Sequence, residues 1–201
     1  MIFDYGGVIS LPQEPSFIRM LADMVGADAD ALARAYRSHR HDYDRGVLTG
    51  AGYWRSVLEA GGAETAERSA EELIRLDVQS WIRINPDTLD LLSRLDSAGV
   101  VLALLSNLPS DHLTDFQERF RWLELFAVRV YSCELGRAKP DPEIYRQCLA
   151  RLDRKAEKCL FVDDTEANVT AARELGMHAL EFAGAGELER ELRERLDGIT
   201  F

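Results

Sequence analysis

From about residue 83 onward, apolar positions alternate between two arrangements, one spaced for helices and one unbroken as in buried strands. Asn85-Pro86 reads as a helix start, with Asn as N-cap and Pro at the first helical position. Leu89, Leu91, Leu92 and Leu95 form an apolar stripe that Gly99 closes. Val100 to Leu105 is continuously apolar, as expected for a strand covered on both faces. The pattern then predicts a helix over 111–120, a strand over 128–131, a helix over 142–150 and a strand over 159–162. A helix over 166–175 ends at Gly176, a strand follows over 178–182, and Glu187 to Leu196 forms an exposed amphipathic helix. Such alternation implies a mostly parallel, doubly wound, Rossmann-like α/β sheet.

Residues 13–82 read differently. Phe17, Ile18, Leu21, Met24 and Val25, then Leu32 and Tyr36, then Tyr53, Trp54, Val57 and Leu58 fall on helix faces punctuated by glycines, and no strand is evident. The expected organisation is an α/β core of residues 1–12 and 83–201, with a helical unit of residues 13–82 inserted after the first strand. A lid over the carboxyl edge of the sheet is the natural role for such an insert.

The chain has 201 residues, 46% hydrophobic and 29% charged, which suits one sizeable core with a smaller inserted unit. A net charge of −11 argues against nucleic acid as a partner, because phosphate-backbone binding needs a positive surface. A small phosphorylated molecule is still compatible, since one lysine and a cation can hold a phosphate locally. Cys133, Cys148 and Cys159 are odd in number and lack paired spacing, as expected of reduced thiols. No stretch approaches ~20 apolar residues, and the opening residues lack a leader pattern, so a cytoplasmic location is expected.

Polar residues stand where the apolar runs stop. Asp4 follows the opening Met1-Ile2-Phe3 and precedes the Gly6-Gly7 turn; Ser106-Asn107 follows one strand, and Asp163-Asp164 follows another. Lys139 lies in Gly136-Arg137-Ala138-Lys139-Pro140-Asp141-Pro142, after the strand at 128–131. In a doubly wound sheet these four segments converge on one edge. Adjacent carboxylates near a third repel one another unless a cation and a lysine stand between them. Asp4 as nucleophile would meet an anionic phosphate only if Mg²⁺, held by Asp4, the Gly6 carbonyl and Asp164 with help from Asp163, neutralised the charge. Lys139 would bridge nucleophile and phosphate, with Ser106 and the backbone at Asn107 donating to phosphoryl oxygens.

These four segments, in this order, resemble the motifs of the haloacid dehalogenase superfamily. Ile-Phe-Asp-Tyr-Gly-Gly-Val is similar to its first motif, Leu-Leu-Ser-Asn to its second, the Lys139 loop to its third and Phe-Val-Asp-Asp-Thr-Glu-Ala-Asn to its fourth. The insert resembles the helical cap of one subfamily. The resemblance implies a Mg²⁺-dependent phosphatase acting on a small phosphorylated metabolite through an aspartyl-phosphate. It also marks a departure: phosphatases of this family usually carry a second Asp, the general acid/base, where this chain has Gly6, a pattern shared with a group that includes sugar-phosphate phosphatases.

Three consequences of that departure are open. A cap residue could substitute, with His39, His41, Asp42, Asp44 and Arg45 as candidates; the substrate could carry a good leaving group; or the chain could be a phospho-ligand binder without turnover. Dehalogenation is a further alternative, weakened by Asp163-Asp164, which implies a metal. Phosphomutase chemistry is disfavoured because it leans on the missing acid/base. Trp54, Trp81 and Trp122 read as packing residues, with Tyr43 and Trp54 candidates to face a substrate. Glu14 could touch a ligand from the hinge, Asn168 could orient the metal's surroundings, and Asp141 could hold Lys139 or cap a helix.

Overall fold

The computed structural model describes residues 1–63 and 69–195. Among them, β1 (Ile2–Phe3), β2 (Leu102–Ser106), β3 (Phe126–Tyr131), β4 (Leu160–Asp163) and β5 (His178–Glu181) form one parallel sheet in the order β3-β2-β1-β4-β5. The chain steps outward from β1 to β3, then crosses back to the far side of β1 for β4. That reversal opens a crevice at the carboxyl ends of β1 and β4, where ligands of such sheets bind. Ile2 pairs with Ala103 and Phe161, and Phe3 with Leu104 and Val162, so Asp4 falls one step further, beside the end of β4.

Alternation along the strands divides the core in two. Phe3, Leu104, Val162 and Leu180 face α5 (Pro86–Ser97), α6 (Ser110–Arg119) and α10 (Ala185–Arg195). Ile2, Ala103, Leu105 and Phe161 face α8 (Pro142–Leu152) and α9 (Glu166–Glu174). Asn85 caps α5 and Pro86 opens it, as the sequence predicts. The boundaries differ where backbone pairing overrides apolarity. β2 begins at Leu102, leaving Val101 46% exposed, and β3 begins at Phe126. The short helix α7 (Ser132–Leu135) after β3 has no periodicity long enough to announce it. Leu196, the expected end of the last helix, lies outside the described residues.

α1 (Phe17–Val25), α2 (Ala29–Asp44), α3 (Gly50–Gly61) and α4 (Ala70–Ser80) pack around a third apolar cluster. Leu21, Val25, Leu32, Val57 and Leu73 fill it, with Tyr43 stacked on Tyr53 at 4.4 Å. The segments leading out of and back into the sheet lie side by side: Ser10 and Ile84 form an antiparallel bridge, flanked by Leu11 N–H to Arg83 O (2.7 Å) and Asn85 N–H to Ile9 O (2.8 Å).

Candidate active site

The carboxyl ends of the strands meet a cavity of about 300 Å³, walled by Asp4, Asn107, Lys139 and Asp164 from the sheet side and by Arg40 and Asp44 from the helical unit. Asp4 ends β1 because the chain must turn at once. The amides of Val8, Ile9 and Ser10 all donate to Tyr5 O, and Gly7 takes a left-handed φ of 70°. A Cβ at Gly7 would lie 2.0 Å from Asp164 Oδ2, so glycine here also lets that carboxylate settle on the turn.

Lys139 is almost wholly buried, with Nζ 2.6 Å from Asp4 Oδ1 and 2.7 Å from Asp163 Oδ2. Its backbone is clamped by Asn107, whose Oδ1 accepts from Lys139 N–H (2.8 Å) and whose Nδ2 donates to Lys139 O (2.9 Å). The Asn107 side chain is thereby committed to the lysine loop, and only its backbone is left for a ligand. Ser106 is buried and carries no side-chain hydrogen bond among the described residues. Asp163 is saturated: its Oδ1 also accepts from Thr165 N–H (2.9 Å), and Asn168 Nδ2 donates to both its Oδ1 (2.9 Å) and its Oδ2 (3.1 Å). Asp4 Oδ1 takes the Tyr5 amide at 2.7 Å as well, which leaves Oδ2 without a protein partner among the described residues.

Carboxylate oxygens of Asp4, Asp163 and Asp164 lie within 4.8 Å of one another. Burial pushes the Asp4 carboxyl up, to about 7, with Lys139 pulling it down and Asp163 and Asp164 adding repulsion. Burial also disfavours the Lys139 ammonium, but Asp4 and Asp163 outweigh it and raise its pKa. Three carboxylates facing one ammonium leave an excess of negative charge that a bound cation would neutralise.

Arg40, Asp44 and His112 bring a second network to the same cavity. Asp77 of α4, fully buried, accepts from Arg40 Nη1 (2.9 Å) and from Tyr36 O–H (2.6 Å), and shares a 3.0 Å hydrogen bond with His112 Nε2 of α6. Arg40 Nε also donates to Asp44 Oδ1 at 2.8 Å. Burial opposes the Asp77 charge, yet Arg40 and His112 hold its carboxyl down, at about 2. Burial pushes the Asp44 carboxyl up, against the pull of Arg40. A signal existed: Asp77 sits four residues after Leu73 on the buried stripe of α4, an unusual place for an unpaired carboxylate.

Of the expected helical-unit candidates, the structure brings Asp44 to the cavity and leaves His39, His41, Asp42 and Arg45 off its wall. His41 and Asp42 are exposed, and Arg45 pairs with Asp42 at 2.8 Å, because that side of α2 faces water. Tyr43 and Trp54 do not face the cavity either; they are buried among the aromatic residues of the helical unit, and the Tyr43 hydroxyl donates to Asp111. Trp122 packs on the core beside Tyr5, whereas Trp81 lines the cavity and stands 3.6 Å from a Cβ built at Gly6. Glu14 pairs with Arg83 at the surface, Asn168 holds Asp163, and Asp141 caps α8 while pairing with Arg137.

A family model described as haloacid dehalogenase-like hydrolase matches residues 1–176. Bifunctional epoxide hydrolase 2 of Mus musculus is 25% identical over 99% of this chain, which spans only 39% of that relative's length. The phosphorylated carbohydrates phosphatase of Thermotoga maritima is 27% identical, over 90% of this chain and 82% of its own. A HAD family enzyme of Bacteroides thetaiotaomicron, solved as a magnesium complex, superposes with a TM-score of 0.78 over 96% of each chain at 22% identity. A dehalogenase and a phosphatase share the fold alike, so the fold alone does not choose between those chemistries.

Proposed function

The chain belongs to the haloacid dehalogenase-like hydrolases, and on that footing we propose that it is a Mg²⁺-dependent phosphatase of a small phosphorylated metabolite, with Asp4 as nucleophile. Residues 13–82 act as a cap over a core of residues 1–12 and 83–201. The observation that carries the reading is the buried Lys139 ammonium bridging Asp4 and Asp163, with Asp164 alongside. A lysine so placed favours the ionised form of the nucleophilic carboxylate against the effect of burial and offers a positive charge to an incoming phosphate.

The donor set fits the metal. Three clustered carboxylates supply the hard oxygen ligands that Mg²⁺ prefers, and their excess negative charge lacks any other counter-ion among the described residues. Asp4, Asp164 and the Gly6 carbonyl would hold the ion, with Asp163 close by but saturated by Lys139, Thr165 and Asn168. When bound, Mg²⁺ supplies charge neutralisation for the transferring phosphoryl group. The same donor set favours phosphatase over dehalogenase chemistry, which needs no metal.

The chain's own residues then do the following. Lys139 and the tyrosine amide fix Asp4 Oδ1, so Oδ2 attacks phosphorus. Lys139, the Ser106 hydroxyl and the backbone at Asn107 donate to phosphoryl oxygens and so stabilise the charge of the transferring group. Water then releases phosphate from the aspartyl-phosphate. The cavity, about 300 Å³, suits a single-ring metabolite, and the carbohydrate phosphatase among the relatives supports a sugar phosphate. Three free cysteines support a reducing, cytoplasmic setting. The test is hydrolysis of p-nitrophenyl phosphate and a sugar-phosphate panel with and without Mg²⁺. Turnover that needs Mg²⁺ and disappears in Asp4→Asn is expected. Turnover that survives Asp4→Asn refutes the reading; Mg²⁺ and phosphate binding without turnover would make the chain a phospho-ligand binder.

A further inference from the structure

We infer that His112, oriented by Asp77, is the general acid and base that replaces a carboxylate at position 6; the inference rests on the phosphatase reading above. Position 6 offers no such group, and the Trp81 indole stands next to where a side chain there would begin. His112 lines the same cavity as Asp4 and Lys139 but comes from α6, a different element from the nucleophile's own turn. In-line displacement sends the leaving group away from Asp4 into this cavity, whose lining includes His112, Arg40 and Asp44.

The ring is held in the way an acid/base histidine needs. Its Nε2 meets Asp77 Oδ2 at 3.0 Å, and Asp77 is itself fixed by Arg40 and Tyr36. Nδ1 carries no hydrogen bond among the described residues, nor is it a sealed interior atom. A buried carboxylate behind an imidazole fixes the orientation and tautomer of the ring. The groups around His112 are Asp77 from α4, Tyr43 and Asp44 from α2 and Asp115 on its own helix, with Arg40 bonded to the same Asp77 oxygen. Asp44 also reaches the cavity, with its Oδ1 held by Arg40 Nε at 2.8 Å, and is the rival that Asp44→Asn tests.

The balance closes over two steps. Asp4 Oδ2 bonds to phosphorus as the ester P–O bond breaks, and the imidazolium proton passes to the departing oxygen, giving the free alcohol and an aspartyl-phosphate. Neutral His112 then takes a proton from water as that oxygen attacks phosphorus. The phosphorus–Asp4 bond breaks, phosphate leaves, and the carboxylate and imidazolium are restored.

The test is kcat/KM for a series of aryl and alkyl phosphates of decreasing leaving-group acidity, measured for the wild type, His112→Gln and Asp44→Asn. Glutamine keeps a hydrogen bond to Asp77 available, and thermal melts with and without Mg²⁺ check that the fold survives. General acid catalysis is worth about 10²–10⁴-fold. His112→Gln should therefore lose about that factor on alkyl phosphates and less than about tenfold on p-nitrophenyl phosphate, steepening the dependence on leaving-group acidity. Asp44→Asn should keep the wild-type slope. A uniform loss across the series, no loss, or a steeper slope in Asp44→Asn overturns the assignment while Asp4-dependent turnover still stands. A wild type that hydrolyses none of the esters, with Asp4→Asn indistinguishable from it, overturns the phosphatase reading and the inference together.

Discussion

Replacing Lys139 with methionine removes one charge from the centre of the site at nearly constant side-chain volume, and its cost can be worked from the geometry. Nζ lies 2.6 Å from Asp4 and 2.7 Å from Asp163, and all three groups are buried. At an effective dielectric of ~20, each pair attracts by ~6 kcal/mol, most of it offset by the cost of removing the charges from water. Deleting one partner leaves the others uncompensated, which costs ~3–5 kcal/mol for buried pairs. At pH 8 without metal, both Asp4 and Asp163 are left in that state. At pH 5 Asp4 is already protonated in the wild type, its carboxyl being raised to about 7, so only Asp163 loses its counter-charge and the penalty shrinks. The assay is urea denaturation of the metal-free protein at both pH values, reading the midpoint at constant slope. A loss of ~3–5 kcal/mol at pH 8 and distinctly less at pH 5 is expected. A loss below ~1 kcal/mol at pH 8 would refute the claim that Lys139 is the electrostatic keystone.

Two further outcomes follow from the same site. Gly7→Ala places a side chain at φ 70° and drives it into Asp164, so it should cost ~1–3 kcal/mol and weaken Mg²⁺ binding by calorimetry; unchanged affinity would refute the packing argument. A folded-state carboxyl raised from 3.8 to about 7 contributes stability that is present below pH 4 and lost as pH rises toward 7. The metal-free protein should therefore lose up to ~4 kcal/mol across that range, while saturating Mg²⁺ flattens the curve; a metal-free curve that rises with pH would contradict it.

The sheet was legible because its strands, covered on both faces, are written as unbroken apolar runs such as Leu102–Leu105 and Phe161–Val162, and because Asn85-Pro86 punctuates a helix by known chemistry. Asp4, Lys139, Asp163 and Asp164 were legible because carboxylates and a lysine interrupt that text at strand ends. Their distinct contacts were not. Nothing in Asp163-Asp164 says that the first is saturated by Lys139 and Asn168 while the second stays exposed, since that depends on which way each side chain leaves the end of β4. Asn107 reads as a phosphate contact but clamps the lysine loop across 32 residues of sequence. The partners in the Arg40–Asp77–His112 network were hidden for the same reason: Asp77 stands out on the apolar stripe of α4, but its members lie on three helices, and only tertiary packing brings them together. The stretch from His39 to Arg45 drew attention by composition, yet the turn of α2 sends Asp44 inward and His41 and Asp42 to solvent.

The central claim is that Asp4 becomes phosphorylated. The most direct measurement is acid quenching of the wild type during turnover of p-nitrophenyl phosphate with Mg²⁺, followed by mass analysis of the peptide bearing Asp4. This peptide should gain the mass of one HPO₃ group, and the gain should vanish in Asp4→Asn and when Mg²⁺ is removed. Steady turnover with the phosphoryl group trapped on another residue would contradict it.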